Sequence, residues 1–363
     1  MTNGTNGAPP GYYAARPRLF IADRFEQALG DGFLLSLLVE ETTLGLFRCE
    51  ARFSNWGPEQ GKTFLFFDRD LLDFGKSFAV ELGPPDRSQR VFDGRIMALE
   101  AHYPGERPPE LTVLAEDRFQ DLRMERRTRS FEDLADAEII RQIAAQHGLT
   151  AEVDLDGPTY GVVTQLNQSD LAFLRERVAA VDGELWIEED TLHAQARTRR
   201  NQGELTLQYG GNLLEFSVLA DLAHQRTAVQ VSGWDVANKQ AIQVTADESL
   251  LRAELNGDQS GSALLATALA ERHEQIVCAV PFSQEEAQSL ADARYRARAR
   301  RFVRGTGTVD GEPALRVGTT VNLTDLGTLF AGAYYVTLVR HTFDLMHGYR
   351  TTFEAERVGL GNS

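Results

Sequence analysis

Two stretches of the chain carry the same features in the same order. GKSFAVELGPPDRSQRVFDGRIMALEAHYPGERPPELTVLAEDR, from Gly75, lies over VGTTVNLTDLGTLFAGAYYVTLVRHTFDLMHGYRTTFEAERV, from Val317. Gly75 falls against Gly318, Val80 against Val321, Leu82 against Leu323, Gly94 against Gly332 and Gly105 against Gly348, and Ala-Glu-Asp-Arg answers Ala-Glu-Arg-Val at the close. Two copies do not make a solenoid, which buries a continuous core only by stacking three or more repeats. Each copy reads instead as a short strand, a turn and a long hairpin. Short antiparallel strands present unpaired edges unless the sheet curls on itself, so the duplication predicts two related, closed or nearly closed antiparallel β-barrels.

A chain of 363 residues exceeds one ordinary core and calls for two to three domains of about 150 residues each. Residues 1–15, rich in Gly, Asn and Pro, bury too little apolar surface to offset their ordering entropy and read as a flexible tail. Residues 16–118 read as the first β-barrel. Arg48, Glu50 and Arg52 alternate there with Phe47, Cys49, Ala51 and Phe53, and TFLFF and a helical turn at 68–74 follow. Residues 119–205 read as a small α/β domain and 206–358 as the second barrel, with a two-helix insertion at about 261–303 and a short tail at 359–363. The expected class is mainly β with an α+β insertion.

Three helices carry start and stop signals. Ser130 with Asp133 offers a capping box for a helix through Ile139, Ile140 and Ile143 to Gly148. Ser169 stands at the N-cap of a second, whose Leu171, Leu174, Val178 and Val181 form one stripe and whose left-handed stop is Gly183. The sequence then alternates through Leu185 and Ile187 to a polar turn at Glu189-Asp190 and on to Gln195. Gly261 to about Cys278 reads as a further helix, and Ser283 opens a capped helix running to Arg301.

Chemistry-bearing patterns are sparse. The formal net charge of −16 argues against a nucleic-acid binder, which needs a basic surface to displace counterions from phosphates. Arg294, Arg298 and Arg301 share one helical face, but Glu285, Glu286 and Asp292 accompany them, and cations near a helix C-terminus are favoured by its dipole. They read as a solvated face or as inter-subunit ion pairs. Cys49 and Cys278 are too few for a metal site or a disulfide framework and fit a reducing compartment. His102, His147, His193, His224, His273, His341 and His347 form no HExxH pattern, and no phosphate loop or nucleophile elbow occurs, so no catalytic, metal or cofactor residues are assigned and no cofactor is expected. Glu188, Glu189 and Asp190 imitate a glycosidase acid/base pair, yet adjacent acids at a hairpin tip are ordinarily solvated turn residues. His341 reads as a buried structural histidine. No run of about 18 apolar residues exists, and the N-terminus lacks the basic start and apolar centre of a secretion signal. Synthesis and assembly in the cytoplasm are the expectation.

The segment QSDLAFLRERVAAVDGELWIEED resembles the baseplate-hub proteins of contractile tails, the family of phage late control gene D proteins and of the hub half of type VI VgrG proteins. The resemblance strengthens at the close, in Gly305, Gly307, Gly311, Pro313, Leu315, Gly318, Val321, Leu323, Gly332, Tyr334, Val336, Val339, His341, Gly348, Tyr349 and Phe353, and spans 16–358. It implies a structural hub of a phage tail-like particle or contractile injection system, a homotrimer whose two barrels per chain make a ring of six. Such a ring links a hexameric inner tube protein to a trimeric spike and meets other baseplate components. Fused members of the family carry their spike after the hub, so a separate spike protein is expected here. The matched hairpins 90–117 and 331–356 are the expected tube-facing strands. A cell-wall-degrading carbohydrate-active enzyme and a β-barrel cargo adaptor are the alternatives. Whether the machine is a phage, a released particle or membrane-anchored stays open.

Overall fold

The computed structural model describes residues 16–57, 64–84, 87–235, 238–277 and 281–361. The expected tail at 1–15 and Cys278 lie outside them. The first lobe is built from β1 (Arg18–Ile21), β2 (Arg24–Phe25), β3 (Leu34–Thr42), β4 (Arg48–Ser54), β5 (Ser77–Leu82), β6 (Gln89–His102) and β7 (Glu110–Glu116). Alternation along β4 buries Cys49, Ala51 and Phe53 and exposes Arg48, Glu50 and Arg52, the period of a half-buried strand. Residues 64–67 of TFLFF do not form the expected strand, nor 68–74 a helical turn, and Thr63 lies outside the described residues. The Asn55 carboxamide accepts the N–H groups of Leu65 and Phe66, both at 2.8 Å, and this bend drives Phe66 against Phe33 and Phe53.

The α/β domain follows as α1 (Phe119–Arg123), β8 (Arg126–Ala135), α2 (Asp136–Gln146), β9 (Thr150–Asp154), β10 (Thr159–Ser169), α3 (Asp170–Ala180), β11 (Gly183–Glu188) and β12 (Thr191–Ala196). α2 starts later than the capping pattern at Ser130 suggested. Ser130 lies within β8, paired with Thr164 of β10, and the box that forms has Glu138 accepting the Ala135 N–H. α3 is capped as expected, Ser169 Oγ accepting the Ala172 N–H at 3.2 Å. Its left-handed stop is Asp182 (φ +56°), not Gly183. Gly183 is needed for space, because a Cβ there would sit 2.6 Å from Leu155 and 2.8 Å from Val178.

The second lobe begins with β13 (Glu204–Gln208) and β14 (Leu213–Ala220). The chain then leaves for β15 (Ala228–Asp235), β16 (Gln240–Asp247), α4 (Arg252–Leu255), β17 (Gln259–Ser260), α5 (Gly261–Leu269), β18 (His273–Ile276) and α6 (Gln284–Ala299). The helix expected to run from Gly261 to Cys278 therefore stops at Leu269. β18 pairs in parallel with β15, and β15, β16 and β18 form a separate sheet with its own apolar cluster, closed by Ala287, Ala291 and Tyr295 of α6. The insertion thus includes the 228–247 hairpin, which its alternation alone had placed in the barrel. Ser283 Oγ caps α6 by accepting the Glu286 N–H. The chain returns as β19 (Val303–Asp310), β20 (Thr320–Thr324), α7 (Gly327–Phe330), β21 (Gly332–Asp344), β22 (Gly348–Arg357) and β23 (Gly359–Leu360). β23 pairs with β17, so 359–361 is not a loose tail.

The two lobes are halves of one 13-stranded sheet, in the order β14-β19-β22-β21-β3-β4-β7-β6-β5-β1-β2, with β20 and β13 continuing from β21. Each half curls around its own apolar cluster, one centred on Val39, Phe53, Phe78 and Val80, the other on Val321, Tyr334, Val336 and Phe353. No ladder among the described residues closes either half by itself.

The duplication holds at the level of single hydrogen bonds. Gly75 and Gly318 both take positive φ, +77° and +95°, and donate their N–H to the carbonyls of Ile96 and Val336. Ile96 and Val336 donate back to Lys76 and Thr319, and they face Ala115 and Ala355 across the hairpin. Both hairpins bulge directly afterwards, at Met97 and Thr337. β3 and β14 bulge at the same place against β4 and β19, so Leu34 answers Leu213 and Val39 answers Val218. The register corrects the sequence alignment by two residues: Phe78 stands where Val321 stands, and Gly94 where Tyr334 stands. A two-residue slip keeps every side chain on its face, which is why the pattern hid it.

Candidate functional site: the lobe junction and the open strand edges

The lobes meet where β21 pairs with β3, from Leu338 opposite Thr42 to Asp344 opposite Ser36. β3 is apolar but for Ser36 until Glu40 and Glu41, and both acids are buried. Burying a carboxylate costs several kcal/mol unless it is paired, and each of these is. Arg340 Nε donates to Glu40 at 2.6 Å, and Arg48 reaches the other oxygen at 2.8 Å. Glu41 accepts from Arg316 and from the Val317 N–H, while its burial raises its pKa despite the guanidinium. One turn of pleat away His341 is fully buried, its Nδ1 within 2.9 Å of Tyr349 Oη and 3.2 Å of Thr351 Oγ1, with no partner on Nε2. Burial and the nearby Arg316 push its pKa down to about 3, so it is neutral. His341 is buried and hydrogen-bonded, as expected for its place in the strand.

A second buried cluster ties the α/β domain to the second lobe. Arg200 donates to Glu184 at 2.9 Å and to the Val317 carbonyl at 3.0 Å and lies over the Trp186 ring. Tyr335 Oη also donates to Glu184, at 2.6 Å, and Arg197 pairs with Glu356. The α6 side is joined by Arg300, nearly buried, which donates to both Asp182 and Glu254. The sequence reading missed Arg300 because it sits beside the exposed arginines and carries no period of its own.

The residues singled out from sequence fall as follows. Arg298 is held within the chain by Glu274, so it is not a free inter-subunit cation, while Arg294 and Arg301 are exposed with no side-chain partner among the described residues. Glu188 accepts from Trp186 Nε1 and Gln202, Asp190 accepts from Arg118, and Glu189 takes the left-handed turn position at φ +52°. All three acids are exposed at the hairpin tip. No group of three or more His, Cys, Asp or Glu there could hold a metal ion. The hairpins 90–117 and 331–356 lie in the one continuous sheet.

Among the described residues, two strand edges are open in one lobe where the equivalent edge is paired in the other. β6 pairs with β5 only from Gln89 to Arg95, and past that point the same edge has no strand beside it among the described residues, although the equivalent edge of β21 is covered by β3. Among the described residues β19 is the one strand laddered to β14, whose other edge meets Tyr209 in a single bridge at Leu213, although its equivalent β3 has a strand on each side. Exposure follows. Tyr103 is 63% exposed where Phe343 is 4%, and Leu219 is 56% exposed where Glu40 is 9%. A cavity of ≈ 380 Å³ opens against β14, lined by Leu219, Arg301, Arg304, Thr337, Glu354 and Glu356. Trp56 and Phe64, also exposed, extend the apolar patch at Tyr103.

A family model described as Alg8 N-terminal domain matches residues 55–344. No curated protein matches. Among solved structures, the 43 kDa tail protein of prophage MuSo2 from Shewanella oneidensis superposes with a TM-score of 0.71 at 14% identity, covering 94% of this chain and 98% of that one. The tail protein from Neisseria meningitidis MC58 gives 0.69 at 13%, covering 95% and 97%. The E. coli c3393 protein, a component of the type VI secretion system described as structurally similar to the T4 bacteriophage tail proteins gp27 and gp5, gives 0.57 at 13%, covering 95% and 79%. The fold is that of these tail proteins along nearly the whole chain.

Proposed function

We infer that this chain, which belongs to the Alg8 N-terminal domain family, is a structural baseplate hub of a contractile, phage tail-like machine, joining an inner tube to a spike. One observation carries the reading: two lobes whose long hairpins share one hydrogen-bond register within a single sheet, in a fold shared along nearly the whole chain with tail proteins. Three copies would set six like lobes around a channel, offering six docking surfaces to a hexameric tube and true threefold symmetry to a spike. On this reading the chain works by shape and strand pairing, without catalysis or cofactor, and travels in an assembled particle. No helix of the described residues is long and apolar enough to cross a membrane. The 90–117 and 331–356 hairpins are proposed to face the tube because their twenty residues from Ile96 to Ala115 and from Val336 to Ala355 match in length and register.

The test is purification of the intact particle with a tagged copy of this chain. Tube and spike subunits co-purify, and the reconstruction places this chain once per third of the ring between them. Recovery of the chain free of any tube subunit contradicts the hub, and degradation of cell wall by the pure protein, lost in Glu188→Gln/Glu189→Gln, moves the function to the enzymatic alternative.

A further inference from the structure

We propose that the lobe junction is an acid-sensitive latch, in which proton uptake by His341 parts the β3–β21 ladder while each lobe keeps its own core. That ladder runs from Leu338 opposite Thr42 to Asp344 opposite Ser36 and is the one ladder joining the lobes among the described residues. The two apolar cores divide on it. Along β21 Val339 belongs to the second lobe's core and Phe343 to the first, and along β22 Phe353 and Tyr349 divide in the same way. Between them stand His341 and Thr351, opposite each other in the sheet and both fully buried, so a polar row marks the boundary at which the cores separate. The device lies within one chain and does not depend on the hub reading.

The row suits a neutral imidazole and has no place for a charged one. Hydroxyl groups donate or accept, so Tyr349 and Thr351 satisfy Nδ1 in either neutral tautomer, at 2.9 and 3.2 Å. An imidazolium donates from both nitrogens, and Nε2 has no acceptor among the described residues. The anions nearby are already engaged. On β3, Glu41 accepts from Arg316 and from the Val317 N–H. In the segment that the Glu312 N–H ties to Thr351, the Glu312 carboxylate accepts from the Ala314 N–H at 3.0 Å, and Arg316 presents a like charge that repels a second cation. From β4 the buried Cys49 contributes a neutral thiol, while Glu40, Arg48 and Arg340 lie on the other face of the sheet. Opening the ladder brings water to Nε2 and removes the cost of a buried, unpaired charge. The direction with pH follows. In the closed junction the His341 pKa is held down to about 3, against about 6.5 in water, so its contribution to the closed form is complete above the higher value and is lost as pH falls through the window. Glu41 works the other way. Burial raises its pKa, so its protonation favours the closed junction as pH falls, and it is not the trigger.

Hydrogen exchange on the full-length chain, read by mass spectrometry and corrected for the intrinsic pH dependence of exchange, tests the latch. Between pH 7 and pH 5.5 the opening constant of amides in 36–42 and 338–344 rises roughly tenfold, and at both values it exceeds that of the 89–116 hairpin, because the first lobe stays closed. In His341→Gln, which keeps a hydrogen-bonding group beside Tyr349 and Thr351, the rise shrinks to less than about twofold. Junction amides whose opening constant does not rise, or which open only together with the hairpin, overturn the latch on the wild-type chain alone, whatever the fate of the variant. A rise that persists in folded His341→Gln, checked by circular dichroism, overturns it as well. Neither result touches the hub reading, which stands or falls on the composition of the particle.

Discussion

The two lobes use one backbone plan and fill it differently. Leu37 and Cys49 pack in the first lobe where Phe216 and Gly305 pack in the second, and Ala51 and Val113 where Gly307 and Phe353 do. Phe216 and Phe353 are each matched by a glycine beneath the ring: a Cβ on Gly305 would lie 2.2 Å from the Phe216 ring, and one on Gly307 2.5 Å from Phe353. Hydrogen-bond register has therefore outlasted side-chain identity, as expected if core volume can be redistributed while strand pairing cannot slip without inverting both faces. The lobes differ most at their rims. β3 is sealed on both sides and tolerates two buried acids, whereas β14, among the described residues, is sealed on one and carries Leu219 and Ala220 where those acids stand.

Breaking the sealed rim has the largest effect. Arg316→Ala leaves Glu41 buried without its cation and lowers unfolding free energy by about 3–5 kcal/mol in urea denaturation. Next is the volume exchange. Gly305→Ala costs about 1–3 kcal/mol, and adding Phe216→Leu, which restores the first lobe's arrangement, recovers more than half of it. A smaller effect is set by pH. His341 is held neutral, with a folded pKa near 3, below the value of about 6.5 in the unfolded chain, so its contribution is complete above that value and lost as pH falls through the window. Denaturation at pH 7 and pH 5.5 then differs by about 1 kcal/mol from this group, and His341→Phe removes that part of the difference. Smallest is the hairpin tip: Glu188→Gln and Glu189→Gln change stability by less than about 0.5 kcal/mol, because both are exposed.

Much of this was legible in the chain. Period-two alternation gave β4, capping chemistry gave α3 and α6, and repeated glycines gave the duplication. What was hidden depends on partners distant in sequence. Ser130 looked like a cap because Ser-x-x-Asp is a local signal, but its ladder partner is Thr164. The 228–247 hairpin looked like barrel because alternation does not say which core the buried face meets, and its core is α6. Glu40-Glu41 inside an apolar strand was a visible irregularity, and its meaning needed Arg316 and Arg340, some 275 to 300 residues away. The continuity of the two lobes through β3 and β21 had no sequence signal at all.

The most direct measurement is a reconstruction of the assembled ring at a resolution that separates strands. The account predicts three copies of this 40.3 kDa chain, with six lobes alternating around one channel. A single copy, a ring of six chains, or three chains whose lobes do not alternate around the channel would contradict it.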